Sequence, residues 1–260
     1  MSYEAFARYY DELTANIDYP ALAEYYDRII TRSGGRKGIL LDLACGTGSL
    51  SVCLSKLGYD VIGTDGSPEM LDIAFAKPHE GIQYLCQDMT ELDMFGTIDA
   101  TVCALDSLNH LESTDDLRAV FERVSLFLES GGVFVFDVNT PYKHERVLAD
   151  STFVYETENV FCVWENEYEG DGITGITLDF FEQNEDGRYT RSSDCFTETA
   201  WTREQIESLL KESGFELCAV YEYPTENPPC EMSEKLTFAA RMVNSKNRAG
   251  DRPSQSVEKS

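Results

Sequence analysis

Histidine is scarce in this 260-residue chain, with three in all, and no two of the eight cysteines form a CxxC. Neither a zinc site nor a disulfide framework is expected from residues so scattered. Reduced, mostly buried thiols in a cytosolic protein are the reading that remains. Bases are short as well: 21 stand against 47 acids, for a net charge of −26. The last seventeen residues carry four bases and two acids, so the first 243 hold −28. A nucleic-acid backbone has to be met by Lys and Arg, so this balance argues against such a partner. Long apolar runs are missing too. The longest are strand-sized, such as Val133-Phe134-Val135-Phe136, and no membrane span is expected. The opening MSYEAFARYYDEL has no apolar stretch behind a basic start. That speaks against a secretory signal and for a cytoplasmic location.

What is present is a regular α/β alternation. Phe6, Tyr9, Tyr10 and Leu13 cluster at helical spacing, and a second helix is expected from Pro20 through Ile30, ended by Ser33-Gly34-Gly35. Strands are expected at 38–43, 59–64, 82–86, 98–105 and 133–138. Helices fall between them, the last opening at Ser113 and closed by Gly131-Gly132. Strands alternating with helices of this length give a mostly parallel, doubly wound sheet. Between 151 and 200 the rhythm changes to period two, with hairpin turns at Glu169-Gly170-Asp171-Gly172 and Glu185-Asp186-Gly187. This reads as an inserted antiparallel sheet of three or four strands. The α/β pattern resumes with a capping box at Thr202-Arg203-Glu204-Gln205 and ends with strands near 215–223 and 236–242. From residue 244 the chain is polar and expected to be disordered.

Asp42-Leu43-Ala44-Cys45-Gly46-Thr47-Gly48 joins the first strand to the first helix of the sheet. Glycines there let the backbone turn tightly and approach a ligand at a helix N-terminus. A nicotinamide-binding turn wants GxGxxG, and the residue three after Gly48 is Ser51, which counts against a dehydrogenase. Asp65 ends the second strand 19 residues beyond Gly46, where a carboxylate can accept both hydroxyls of a ribose. The plainer alternative is a turn acid. Asp88, after the third strand, suits an adenine amino group, or again is only a loop acid.

Together these motifs strongly resemble the class I S-adenosylmethionine-dependent methyltransferases. The glycine motif is similar to Asp42–Gly48 here, with Ala44 in place of the usual first glycine. Ile62 to Leu71 looks like the second motif, containing Asp65, Gly66, Ser67 and Met70, and Gln87-Asp88-Met89 looks like the adenine-side motif. The resemblance covers residues 36–139 well and 201–242 more loosely. It implies a Rossmann-like seven-stranded sheet with the last strand antiparallel. The pocket for S-adenosylmethionine would lie at the strands' carboxyl ends, bordered by Asp42, Ala44, Gly46, Gly48, Asp65, Gly66, Ser67, Met70, Asp88, Met89 and Leu105. The N-terminal helices (1–35) would cap it, with Tyr10 over the cofactor; the alternative for Tyr10 is core packing. Residues 36–150 and 201–243 would form the cofactor domain, and 151–200 a lid.

Asp106 and His110, after the fourth strand, stand where family members surround the reactive methyl. They are the candidates for taking a proton from the acceptor, while Asn109, Asn139, Tyr142 and Trp164 are candidates for binding it. A loop that merely caps the next helix is the competing reading, and His144 reads as a surface-helix residue. No metal is expected. The resemblance implies a small-molecule acceptor, an amine nitrogen ahead of a hydroxyl, with alignment as the main contribution. An RNA or protein methyltransferase, or a non-catalytic adenosyl-binding module, would share the scaffold.

Overall fold

Two amphipathic helices, α1 (Glu4–Leu13) and α2 (Tyr19–Arg32), lead the chain in the computed structural model, which describes residues 4–243. The polar stretch from residue 244, expected to be disordered, lies outside the described residues. Asp18 sets the start of α2, its side chain accepting the Ala21 N–H at 3.0 Å. Pro20 sits in the first turn, where its missing N–H has no helical partner to lose.

The α/β alternation then runs β1 (Ile39–Leu43), α3 (Ser49–Lys56), β2 (Asp60–Asp65), α4 (Pro68–Ala76), β3 (Gln83–Cys86), β4 (Ile98–Cys103), α5 (Thr114–Phe127) and β5 (Leu128–Asn139). A short helix, α6 (Pro141–Lys143), continues into one π turn, His144–Leu148. Four antiparallel strands follow: β6 (Thr152–Glu156), β7 (Val160–Gly170), β8 (Ile173–Gln183) and β9 (Tyr189–Thr199). The chain returns through α7 (Arg203–Glu212), β10 (Phe215–Glu222) and β11 (Lys235–Met242).

The main sheet has seven strands in the order β10-β11-β5-β4-β1-β2-β3, and β11 runs antiparallel to both neighbours. Both faces are covered, so its strands read as continuous apolar runs. Along β5, Val133 and Val135 join Tyr26, Ile29 and Leu54 on one side, while Phe134, Phe136 and Val138 join α5 and α7 on the other. Burying each such side chain contributes about 1.5–3 kcal/mol.

Gly131 and Gly132 do not close α5, as the sequence suggested. The helix stops at Phe127, and both glycines lie inside β5 beside a register shift at Ile98/Ala100. Gly131 has φ +82°, and a Cβ on Gly132 would meet the Asp99 and Glu129 carbonyls at 2.9 Å. The glycines serve a tight strand entry.

The inner face of the four-stranded sheet carries an apolar patch. Ile176, Leu178, Phe180 and Phe196 pack against Phe6 and Tyr9 of α1 and Met70 of α4. Glu165, Glu167 and Glu169 point to solvent from the other face. Neither of the two larger hydrophobic clusters draws a residue from β6–β9. Replacing 152–199 by a short Gly/Ser linker should therefore leave a protein with cooperative urea unfolding and an α/β circular dichroism spectrum. A broad, non-cooperative transition would make the insert part of the folding core.

Candidate functional site

The glycine turn between β1 and α3 passes through three left-handed residues, Ala44 (φ 58°), Gly46 (φ 53°) and Gly48 (φ 73°). Alanine at the first of these costs about 1–2 kcal/mol relative to ordinary backbone. The Asp65 carboxylate fixes the turn from β2, Oδ2 accepting Gly46 N–H and Oδ1 accepting Ser67 N–H, each at 2.8 Å. Burial raises the pKa of Asp65, and the two N–H donors oppose that rise. Asp42, deeper, accepts the Ser51 hydroxyl and is pushed up to about 7, first by burial.

A cleft opens here, lined by Tyr10, Tyr19, Asp42, Ala44, Gly46 and Leu105 among others. A Cβ added at Gly46 or Gly66 would meet nothing within 4 Å, so backbone faces open space at both. Gly48 differs, since a Cβ there would collide with Tyr84 Oη at 2.4 Å; this glycine serves helix packing. Helix α1 closes over the cleft and is tied to the turn. Asp11 accepts the Thr47 hydroxyl at 2.6 Å and pairs with Lys77 of α4 at 2.7 Å. Leu105 and Asp106, both at φ 56°, form the opposite rim. Such backbone strain persists only where its surroundings enforce it.

Enforcement comes from Asp137, wholly buried in β5. It accepts Leu105 N–H and Asp106 N–H, each at 2.8 Å, and the Tyr26 hydroxyl, while Lys235 Nζ of β11 stands 3.4 Å away. Lys235 also pairs with Asp106 at 3.0 Å. Beyond it Asn139 donates from Nδ2 to Asp106 Oδ2 (2.6 Å) and to Glu198 Oε2 of β9 (3.2 Å), and accepts from Lys143 Nζ at 2.9 Å.

Three turn residues and an acid at the end of β2 surround open backbone. A methyltransferase-domain family model matches residues 40–132. YqeM of Bacillus subtilis is 36% identical over 93% of this chain and 97% of its own length. An S-adenosylmethionine-dependent methyltransferase from Clostridium acetobutylicum superposes with TM-score 0.82 at 30% identity, covering 93% of this chain and 99% of that one. This chain belongs to the S-adenosylmethionine-dependent methyltransferases. The fold extends to cofactor-bound CalS10, an amino pentose methyltransferase from Micromonospora echinaspora, with TM-score 0.73 at 22% identity over 94% and 98% of the two chains. The donor set suits the cofactor: a carboxylate for a diol, and uncovered backbone at Gly46 and Gly66.

The methyltransferase's other sequence candidates divide. Tyr10 borders the cleft, with its hydroxyl pKa well above the ordinary value, chiefly through burial. Met70 is spent on packing α1, and Met89 packs against the α5 side of the core. Ser67 caps α4 through Met70 N–H. Asp88 is exposed, and its Oδ1 caps a turn by accepting from Thr90. Tyr142, in α6, is half-buried.

Four expectations need correction. Asn109 is fully buried with its amide committed: Nδ2 donates to the Asn139 and Thr199 carbonyls, and Oδ1 accepts Asn139 N–H. It ties β9 to β5 and has no face for an acceptor. Trp164 donates to Asn166 and packs edge-on to Phe6, in the α1 cluster. His144, expected on the surface, is buried, its Nδ1 beside Thr174 Oγ1 at 2.8 Å. Asp106 is a poor proton acceptor. Burial alone would raise its pKa, but Lys235 and then Lys143 overcome that and hold it well below the carboxylate range. His110 packs on Phe196 at 5.1 Å, and burial lowers its pKa, so the ring is neutral at pH 7.

Sequence reasoning missed Lys235 and Glu198. Glu198 is one of twelve acids between residues 151 and 200, and nothing in their number singles it out. Its place in the alternation, on the same side of β9 as Asp194 and Phe196, was the available signal. Burial, then Asp106, pushes it up to about 7. Burial and Lys143 bring His144 down to about 4, so its 3.6 Å approach to Glu198 is not an ion pair at neutral pH.

Lys235→Met should cost about 3–5 kcal/mol of stability at pH 7, because Asp106 and Asp137 lose their buried counter-charge. Asp106's share is present above the ordinary carboxylate range and lost as pH falls through its lowered folded value. The deficit, measured by urea unfolding, should shrink as the uncompensated carboxylates take protons in acid.

Proposed function

We propose that the methyltransferase acts on the nitrogen of a small-molecule amine held between the Asp106 rim and the inner face of the insert. One observation carries this reading: two carboxylates, half-buried Asp106 and buried Glu198, share one Asn139 amide at the junction of the sheet edge and the insert. Such a place favours a cationic ammonium over a neutral hydroxyl. Relatives support it in kind. Glycine/sarcosine N-methyltransferase of Parasynechococcus marenigrum is 31% identical over 56% of this chain. A dTDP-amino-sugar N,N-dimethyltransferase of Streptomyces fradiae is 27% identical over 76%.

Asp65 accepts the ribose hydroxyls. Asp88 keeps Oδ2 outside its cap for the adenine edge. Tyr10 covers the cofactor, and the turn at Asp42, Ala44, Gly46 and Gly48 takes the methionine portion with Leu105. The bound cofactor supplies an electrophilic methyl for in-line displacement. The chain aligns the acceptor: Asp106 and Asn139 orient it, His110 and Phe196 flank it, and the insert excludes water. The eight cysteines are free, but only Cys103 and Cys162 are buried and four are exposed, against the expectation of mostly buried thiols; no described helix is long and apolar enough to cross a membrane.

Asp65→Ala should weaken binding of S-adenosylhomocysteine by about 1.5–3 kcal/mol in calorimetry, with folding retained. Unchanged affinity would remove the ribose assignment. With methyl-labelled cofactor, label should pass to amines in a panel of glycine, sarcosine and 3-amino-3-deoxyhexoses, and not to glycolate or the parent hexoses. Transfer to the hydroxyl compounds alone would overturn the amine reading.

A further inference from the structure

Glu198 sits only 4% exposed where β9 meets the edge of the main sheet. The groups that face it come from five elements. They are Asp106 after β4, Asn139 at the end of β5, Lys143 of α6, His144 of the π turn, and Lys235 of β11. Each of the charged ones is already committed. Lys235 holds Asp106 as an anion, and Asp106 and Asp137 hold Lys235 as a cation. Lys143 donates to Asn139 Oδ1. His144 gives Nδ1 to Thr174, and its fully buried Nε2 has no hydrogen-bond partner, pointing at Glu198 Oε2 from 3.6 Å. Among the described residues no ammonium forms an ion pair with Glu198, and Lys143 and Lys235 only partly offset its burial.

We propose that Glu198 is the residue that takes the proton from the acceptor's ammonium group, a step that rests on the amine reading above. The N–H bond breaks with its electron pair left on nitrogen, and a Glu198 oxygen gains the proton. Nitrogen then carries the lone pair that methyl transfer consumes, and Glu198 gives its proton to water as product leaves. One proton is released per methyl group, with no further reactant. An ordinary carboxylate near 4.5 is badly matched to an amine near about 10.4. Raising Glu198 to about 7 improves that equilibrium by roughly three-hundredfold. An alcohol, near water's value of about 15.7, stays out of reach. The placement therefore also selects nitrogen over oxygen.

Sinefungin, which carries an amine where the cofactor carries its methyl group, tests this without a known acceptor. Calorimetry would compare its affinity with that of S-adenosylhomocysteine across neutral pH. In the natural protein the preference for sinefungin should fall about tenfold from about pH 8 to about pH 6, as Glu198 takes up a proton. In Glu198→Gln the ratio should be independent of pH, with S-adenosylhomocysteine binding unchanged. A flat ratio in the natural protein overturns the proposal, and so does an unaltered slope in Glu198→Gln. Failure of both compounds to bind would instead strike at the cofactor site.

Discussion

The Asp137 carboxylate is the constraint on which the site depends. It lies near the carboxyl end of the interior strand β5 with no water contact, and its charge has to be met from within. Four donors converge on it from three other parts of the chain: the turn after β4, helix α2 and strand β11. Two of these are the N–H groups of Leu105 and Asp106, which can both reach it only when that turn is left-handed. Lys235 and Asn139 hold the same turn from its outer side, through the Asp106 carboxylate.

Charge then propagates outward in a fixed order. Asp106 and Asp137 hold Lys235 as a cation at neutral pH, and Lys235 holds Asp106 as an anion there. The negative charge on Asp106, added to burial, keeps Glu198 from ionising easily. An isolated buried ion pair is weak evidence for stability, since desolvation can match its attraction. Here the pair has a second effect, setting the protonation of a neighbour with which no ammonium among the described residues is ion-paired.

Much of this was legible in the sequence. The alternation of apolar runs with amphipathic helices follows from the two-sided burial of a parallel sheet, so the main elements fell within a few residues of their expected places. Asp42, Gly46 and Asp65 were recognisable because a turn that exposes backbone leaves a short, local signature. The acceptor end is different in kind. Of Glu198, Lys235 and Asn139, only Asn139 was among the sequence candidates; antiparallel pairing of β11 with β5 sets Lys235 opposite it, and the crossing of β9 over the sheet edge adds Glu198. Asn109 misled for the same reason, because its partners, the Thr199 carbonyl and the Asn139 backbone, lie 90 and 30 residues away. The two glycines at 131–132 carried a helix-stop signature, but tertiary crowding at the Asp99 carbonyl decided their use.

Helix α1 has a place that bears on how the two ligands communicate. Its polar side is latched to the glycine turn through Asp11, Thr47 and Lys77, while Phe6 and Tyr9 are seated in the apolar patch of the insert. Phe6 N–H is also taken by Asp194 of β9, at 2.6 Å. No segment of the main sheet intervenes, so α1 is a shared wall with one adhesive surface on each side. Anything that firms one surface lowers the entropy left to be lost at the other. Whatever fills the cleft beside the glycine turn and whatever orders the insert act on the same helix, and the coupling free energy between them is equal in both directions.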